Sequence, residues 1–299
     1  MRRPLFVVLL ALLLTGCGLG AGETPTDVTL RVTDGFGRRT ILQSATPKIE
    51  GEDTIMRLLR RNARVDTAYG GAFVTAVSGR EGGERADGRT RDWIYFVNGV
   101  QAEKGATSIR VHDGDHIWWD RQETGLAAVG AVVGSFPAPL RGDGARPDLA
   151  CADPAGEACR TTVDRLRAAG VATQPRALDD RSPSATVRVL VGAWPALRRE
   201  DGARAFARGP RASGVLAVPV RGGLAAYDAA GRSGPLLRRW GLVAAMRPRG
   251  SGVTWLVTGA TEADATAAAA ALREPTLRGR FAVLVRGDRT SPLPTGPER

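Results

Sequence analysis

The chain has 299 residues, 42 of them Lys or Arg and 31 Asp or Glu, for a formal charge of +11. With 43% hydrophobic and 24% charged residues it is ordinary for a globular protein, which excludes wholesale disorder, a collagen-like fibre and a multi-span membrane protein. The length allows one large or two medium domains, each able to bury a core. Two lysines, Lys48 and Lys104, stand among many arginines, so part of the positive charge reads as coding bias.

Arg2 and Arg3 open the chain, and an unbroken apolar run follows from Leu5 to Leu14. The run is too short to span a bilayer but suits the apolar region of a signal peptide. Leu14-Thr15-Gly16-Cys17 closes it, and two small residues directly before a Cys resemble the bacterial lipoprotein box. The plainer alternative is an ordinary secretory leader with a chance Cys. The resemblance implies a signal peptide over 1–16, cleavage before Cys17, and fatty acylation (palmitate among the chains) of Cys17. Residues 17–26 then form a tether on the extracytoplasmic face of the cell membrane. Each buried methylene of the anchor contributes about 0.8 kcal/mol, so several chains hold a protein there essentially permanently.

Residues 27–122 read as a first domain. Val28, Leu30 and Val32 alternate with polar residues, the mark of a half-buried strand. Asp34-Gly35-Phe36-Gly37 is turn chemistry, and Thr40 to Ser44 returns as a second strand. Asp53-Thr54 can cap a helix whose apolar positions are Ile55, Leu58 and Leu59. Strands are expected over Phe73–Val77, Trp93–Val97 and Ile117–Trp119, with a tight Asn98-Gly99 turn between the last two. Two strands, a helix and further strands make a β-grasp-like order, a mixed sheet over one helix.

The spaced elements Trp93-Ile94-Tyr95-Phe96-Val97-Asn98-Gly99, Gly105-Ala106 and Asp113-Gly114-Asp115-His116-Ile117-Trp118-Trp119 resemble the transcobalamin-like C-terminal domain family. Bacterial members are often exported lipoproteins of unknown function. In the vitamin B12 carriers that name the family, such a domain closes over the corrinoid while a separate helical barrel supplies the rest of the site. This chain has no room for that barrel, so a cobalamin-like ligand is an expectation carried by resemblance alone.

Independently of the family, large apolar groups point to both faces of this sheet. Trp93, Tyr95 and Val97 alternate with Ile94 and Phe96, and Trp118 faces opposite to Ile117 and Trp119. An antiparallel sheet usually keeps one face wet, so something should cover the second: the other domain, a partner protein or a ligand. Trp93, Tyr95, Trp118 and Trp119 are the candidate ligand-binding residues. His112 and His116 flank an Asp-Gly-Asp turn, which favours loop positions over metal ligation.

Residues 127–288 read as an α/β or α+β domain of repeated strand-helix-strand units, so the chain as a whole is α+β. Val132-Val133-Gly134-Ser135-Phe136-Pro137-Ala138 matches Leu190-Val191-Gly192-Ala193-Trp194-Pro195-Ala196, each reading as a strand that ends at Gly before an aromatic-Pro pair. A helical pattern follows each, through Val163 and Leu166 or through Ala203 and Phe206. A third unit has a strand at Trp255–Gly259, an Ala-rich helix from Thr261 to Leu272 and a strand at Phe281–Val285. Gly214–Val220 and Leu224–Tyr227 form a hairpin around Gly222-Gly223. Residues 173–185 are expected to be a loop and 289–299 a disordered tail. Cys151 and Cys159 frame a short turn, and in an exported protein such a pair is expected to bridge; a metal site is the alternative, poorly supplied with further ligands.

No nucleophile elbow, phosphate loop, zinc-protease helix or paired CxxC occurs in the sequence, and no nucleophile–base pair suggests itself. The expectation is a non-enzymatic, membrane-anchored extracytoplasmic lipoprotein that binds a small molecule for uptake, with no metal and no resident cofactor. Its partners would be membrane lipid through Cys17 and a transporter component, not nucleic acid. The competing expectation is a cell-envelope scaffold or interaction protein whose domains simply pack together.

Overall fold

The computed structural model describes residues 23–296 except 87–88, 143, 181, 183 and 249–251. The leader and Cys17 lie outside the described residues. The fold is α+β, an N-terminal sheet region followed by a larger mixed sheet that carries helices.

In the first region β1 (Thr29–Asp34) and β2 (Arg39–Ser44) form an antiparallel hairpin. Helix α1 (Ile55–Asn62) follows; the Thr54 hydroxyl caps it by accepting from the Arg57 amide at 3.3 Å. Its buried face is Ile55, Met56, Leu58 and Leu59, each contributing about 2 kcal/mol by leaving water. Strands β3 (Val65–Ala68), β4 (Phe73–Val77) and β5 (Arg80–Glu81) make a small separate sheet. The main sheet is completed by β6 (Glu84–Ala86), β7 (Arg89–Val97), β8 (Val100–Gln101) and β9 (His116–Glu123). Its order is β2-β1-β9-β7-β6, with β8 on β7 and β1 parallel to β9. This is the mixed sheet over one helix that the alternation and the cap imply.

The second region begins with β10 (Pro147–Cys151), α2 (Glu157–Ala168), β11 (Pro175–Ala177) and β12 (Val187–Ala193). Short helices α3 (Trp194–Leu197), α4 (Asp201–Ala207) and α5 (Pro210–Ser213) lead to the hairpin β13 (Ala217–Val220) and β14 (Gly223–Ala226). Then come β15 (Gly241–Met246), β16 (Val253–Gly259), α6 (Glu262–Ala270), α7 (Glu274–Leu277), β17 (Ala282–Arg286) and β18 (Arg289–Leu293). The sheet order is β11-β10-β12-β16-β15-β17-β18, with the first four strands parallel. Odd-numbered residues such as Val189, Trp255 and Val257 pack on α2 and α6, and even-numbered ones such as Leu190, Leu256 and Leu242 on α4 and the hairpin. A sheet buried on both faces explains the near-continuous apolar runs of its central strands.

Three expectations need correction. Val132–Gly134 is not a strand, and the strand that feeds α2 is β10. In the second copy Pro195 fits a helix's first turn, but in the first copy Pro139 follows Pro137 where the first helical N–H would be needed. The disordered tail is an edge strand over Arg289–Leu293, antiparallel to β17 and burying Leu293; its Pro292 is tolerated because the strand lies at the sheet edge. The 173–185 loop contains β11, an exposed edge strand parallel to β10.

Candidate functional site

The four aromatic candidates are all buried, and they do not converge on one site. Trp93, Tyr95 and Trp119 lie in the core against α1, with Tyr95 and Trp119 stacked at 4.7 Å. Trp93 Nε1 donates to the Arg80 carbonyl at 3.0 Å, and the Tyr95 hydroxyl donates to the Lys104 carbonyl. Burial pushes the Tyr95 phenol up to about 12, so it stays a neutral donor. Trp118 projects from the opposite face, as adjacent residues of a strand must.

That opposite face is covered by the chain itself. Phe281, just before β17, meets Trp118 edge-on at 5.0 Å, Phe96 at 5.7 Å and Phe36 at 5.6 Å. Val132, Val129 and Leu216 complete the cluster. The connecting segment joins both sheets through its backbone: Val132 N donates to Gly99 O at 2.8 Å and Val133 N to Phe281 O at 3.2 Å. Gly134 is required by close approach, since a Cβ there would sit 2.6 Å from the Trp118 ring and 2.8 Å from Arg280 N. Of the three covers that the two-sided sheet allows, the one in place is the second region.

Beneath this seam lies a buried polar chain. Trp118 Nε1 donates to Thr33 Oγ1 at 2.7 Å, and that hydroxyl donates to Asp120 Oδ1 at 2.5 Å. The backbone amides of Phe36 and Gly37 donate to the same carboxylate, each at 2.9 Å. Desolvation outweighs these bonds and pushes the Asp120 carboxyl up to about 6. A polar residue on the face already carrying Phe96 and Trp118 was the available sequence signal for this group.

The motif residues turn out to hold the β7–β8 turn to the start of β9. Asn98 takes a positive φ of 52° ahead of Gly99 at 78°, a conformation that Asn and Gly tolerate. Its Nδ2 donates to Asp115 Oδ1 at 2.8 Å, and its Oδ1 accepts from His116 N at 2.9 Å. Asp115 Oδ2 accepts from His112 N at 2.8 Å. His116 Nδ1 lies 3.0 Å from Thr29 Oγ1, and burial lowers its imidazole. His112 and His116 thus belong to the turn and to the first residue of β9, and among the described residues no three His, Cys, Asp or Glu side chains come together as a metal site. Cys151 and Cys159 form a disulfide between the end of β10 and the first turn of α2.

Open space remains along the seam. A cavity of about 210 Å³ touches Trp118, His116, Arg31, Ser135, Glu274 and Arg278. A larger cleft, about 610 Å³, is bounded on the β7–β9 side by Ile94, Gln101 and Gln122 and on the second-region side by Arg208, Arg211 and Arg247. Its volume is that of a small-molecule site. Nothing in the sequence warns of this grouping, because Arg208 and Arg211 look like solvated helix surface and Arg247 lies elsewhere in the chain.

Set beside known proteins, residues 52–123 match the model of a domain of unknown function, DUF4430. That domain covers about a quarter of the chain and ends at the last residue of β9. No curated protein matches the chain. A solved structure of a suggested metal-binding protein from Ruminococcus gnavus aligns over 33% of this chain and 97% of its own, at 19% identity and a TM-score of 0.26. No helix among the described residues is long and apolar enough to cross a membrane.

Proposed function

We propose that the protein is a lipid-anchored, extracytoplasmic, non-enzymatic lipoprotein that binds a small molecule in the seam between its two sheets. The seam cleft of about 610 Å³ carries the binding half of this reading, since a largely preformed concavity with a few convergent polar groups is where small ligands are held. The anchoring half is supported by the run ending in Leu14-Thr15-Gly16-Cys17. A bridged Cys151–Cys159 pair is consistent with an oxidising compartment outside the cytoplasm. The ligand is not placed on the aromatic sheet: the face that called for a cover is occupied by Phe281, Val132 and Leu216.

The close packing of that face favours a second reading, an envelope interaction protein whose regions clamp together and bind no small ligand. Native mass spectrometry of protein purified from its own host separates the two. A co-purified mass supports the binding protein, and a clean polypeptide mass, with no thermal shift from corrinoids or other cofactors, supports the scaffold. Radiolabelled palmitate is expected to enter the wild type but not Cys17→Ser; equal label in both would remove the anchor.

A further inference from the structure

We propose that the seam cleft takes an organic anion, a small molecule bearing carboxylate or phosphate groups on a body with both apolar and hydrogen-bonding parts. This rests on the small-molecule reading above and specifies its ligand.

Charge is the first ground. Arg208, Arg211 and Arg247 line the cleft, and no carboxylate does. Arg208 ends α4 and Arg211 lies in α5, so the Gly209-Pro210 step between the two short helices brings both guanidinium groups to one wall. Neither has an ion-pair partner among the described residues, in contrast to Arg61, which pairs with Asp53, and Arg278, which pairs with Glu274. Arg247 is held at 2.7 Å by Glu103, which is not part of the wall. A cleft with three guanidinium groups and a single countercharge at its rim favours an oxyanion, which guanidinium binds through paired N–H donors.

The second ground is independent of charge. Gln122 lines the same cleft and is only 3% exposed. Its Oε1 is buried with no hydrogen-bond partner, and its side-chain amide bonds to no other described residue. An orphaned buried amide is costly to leave so, about 1–3 kcal/mol, and it sits beside a cavity large enough to hold the missing partner. No described side chain satisfies it. Turning the Gln122 side chain toward the cleft would let a ligand hydroxyl or amine do so, while Ile94, Ala127, Val129 and Pro248 would cover an apolar part. Strand alternation puts Gln122 on the same face as Asp120 and Trp118, so the orphan sits at the open end of a row whose other two members are fully partnered.

The test is calorimetric titration of the purified protein with citrate, with glucose 6-phosphate and with glucose, at matched ionic strength. Saturable binding of citrate or glucose 6-phosphate is expected, with glucose at least tenfold weaker. The double variant Arg208→Gln/Arg211→Gln should weaken the anion at least tenfold and Gln122→Leu several-fold, both with unchanged circular dichroism. The Arg pair is exposed, which keeps that variant informative if Gln122→Leu fails to fold. Silence from both anions, equal binding of glucose, or an anion affinity untouched by the Arg pair each overturns the assignment. If host-purified protein then carries a neutral co-purified mass, the anion is wrong and the binding protein stands; if it carries none, both fall.

Discussion

The two sheets solve the same burial problem differently. The C-terminal sheet is closed by its own elements, with α2 and α6 on one face and α4 with the β13–β14 hairpin on the other. The N-terminal sheet owns one helix, so only the face with Tyr95 and Trp119 is self-covered. Its other face, with Phe96 and Trp118, borrows Phe281 and Leu216 from far downstream in the chain. One region is therefore complete in itself and the other depends on its neighbour.

That asymmetry breaks most directly at Phe281. Phe281→Ala removes the ring that three N-terminal aromatics touch and should cost about 3–5 kcal/mol. Urea unfolding followed by circular dichroism and by Trp fluorescence should lose its single coincident transition, the N-terminal sheet unfolding first. Coincident curves with an unmoved midpoint would mean that the N-terminal sheet does not lean on its neighbour. Next in size is the pH response of Asp120. Its folded value of about 6 lies above the ordinary 3.8, so the folded state binds the proton more tightly than the unfolded one. Its contribution is therefore fully present below pH 4 and is lost as pH rises through 6, by up to about 3 kcal/mol. Chemical unfolding between pH 4 and 7 should reveal that slope and Asp120→Asn should flatten it; a slope surviving in the variant would assign it elsewhere. The disulfide then sharpens the contrast, because it ties only the C-terminal region. Its loop spans a sequence separation of 8, worth about 2.5 kcal/mol by chain entropy. In urea unfolding of the Phe281→Ala background, where the two transitions part, Cys151→Ala/Cys159→Ala should lower the C-terminal transition and leave the N-terminal one in place.

How much of this was legible follows the same divide. Alternation from Val28 to Thr33 and the Thr54 cap gave β1 and α1, because local patterns of that kind are set by short-range geometry. The Cys151–Cys159 bridge was legible from spacing and the leader. The repeat at Val132–Ala138 misled, since similar residues before Pro137 serve a connector squeezed between two sheets. The tail from Arg289 looked disordered because its prolines conceal an edge strand. Of the candidate ligand residues the sequence already placed Trp118 opposite to Trp119, yet which region would cover Trp118 is a long-range fact that no window of the sequence carries. The same holds for Arg208, Arg247 and Gln122, which meet only once the sheets are docked.

The smallest effect compares one device in both regions. Thr54 caps α1 by accepting from Arg57 N at 3.3 Å and nothing more. Thr261 caps α6 by accepting from Asp264 N at 3.2 Å while its hydroxyl donates to Asp264 Oδ2 at 2.8 Å. Removing an N-cap hydroxyl costs about 1 kcal/mol, so Thr54→Ala should lie near that value. Thr261→Ala also strips a donor from a carboxylate that is 6% exposed, and should approach 2 kcal/mol. Measured in the Phe281→Ala background, where the two transitions are expected to part, Thr54→Ala should move only the N-terminal one and Thr261→Ala only the C-terminal one. If either cap shifts both transitions equally, the regions still unfold as one unit, and the dependence of the first on the second is mutual.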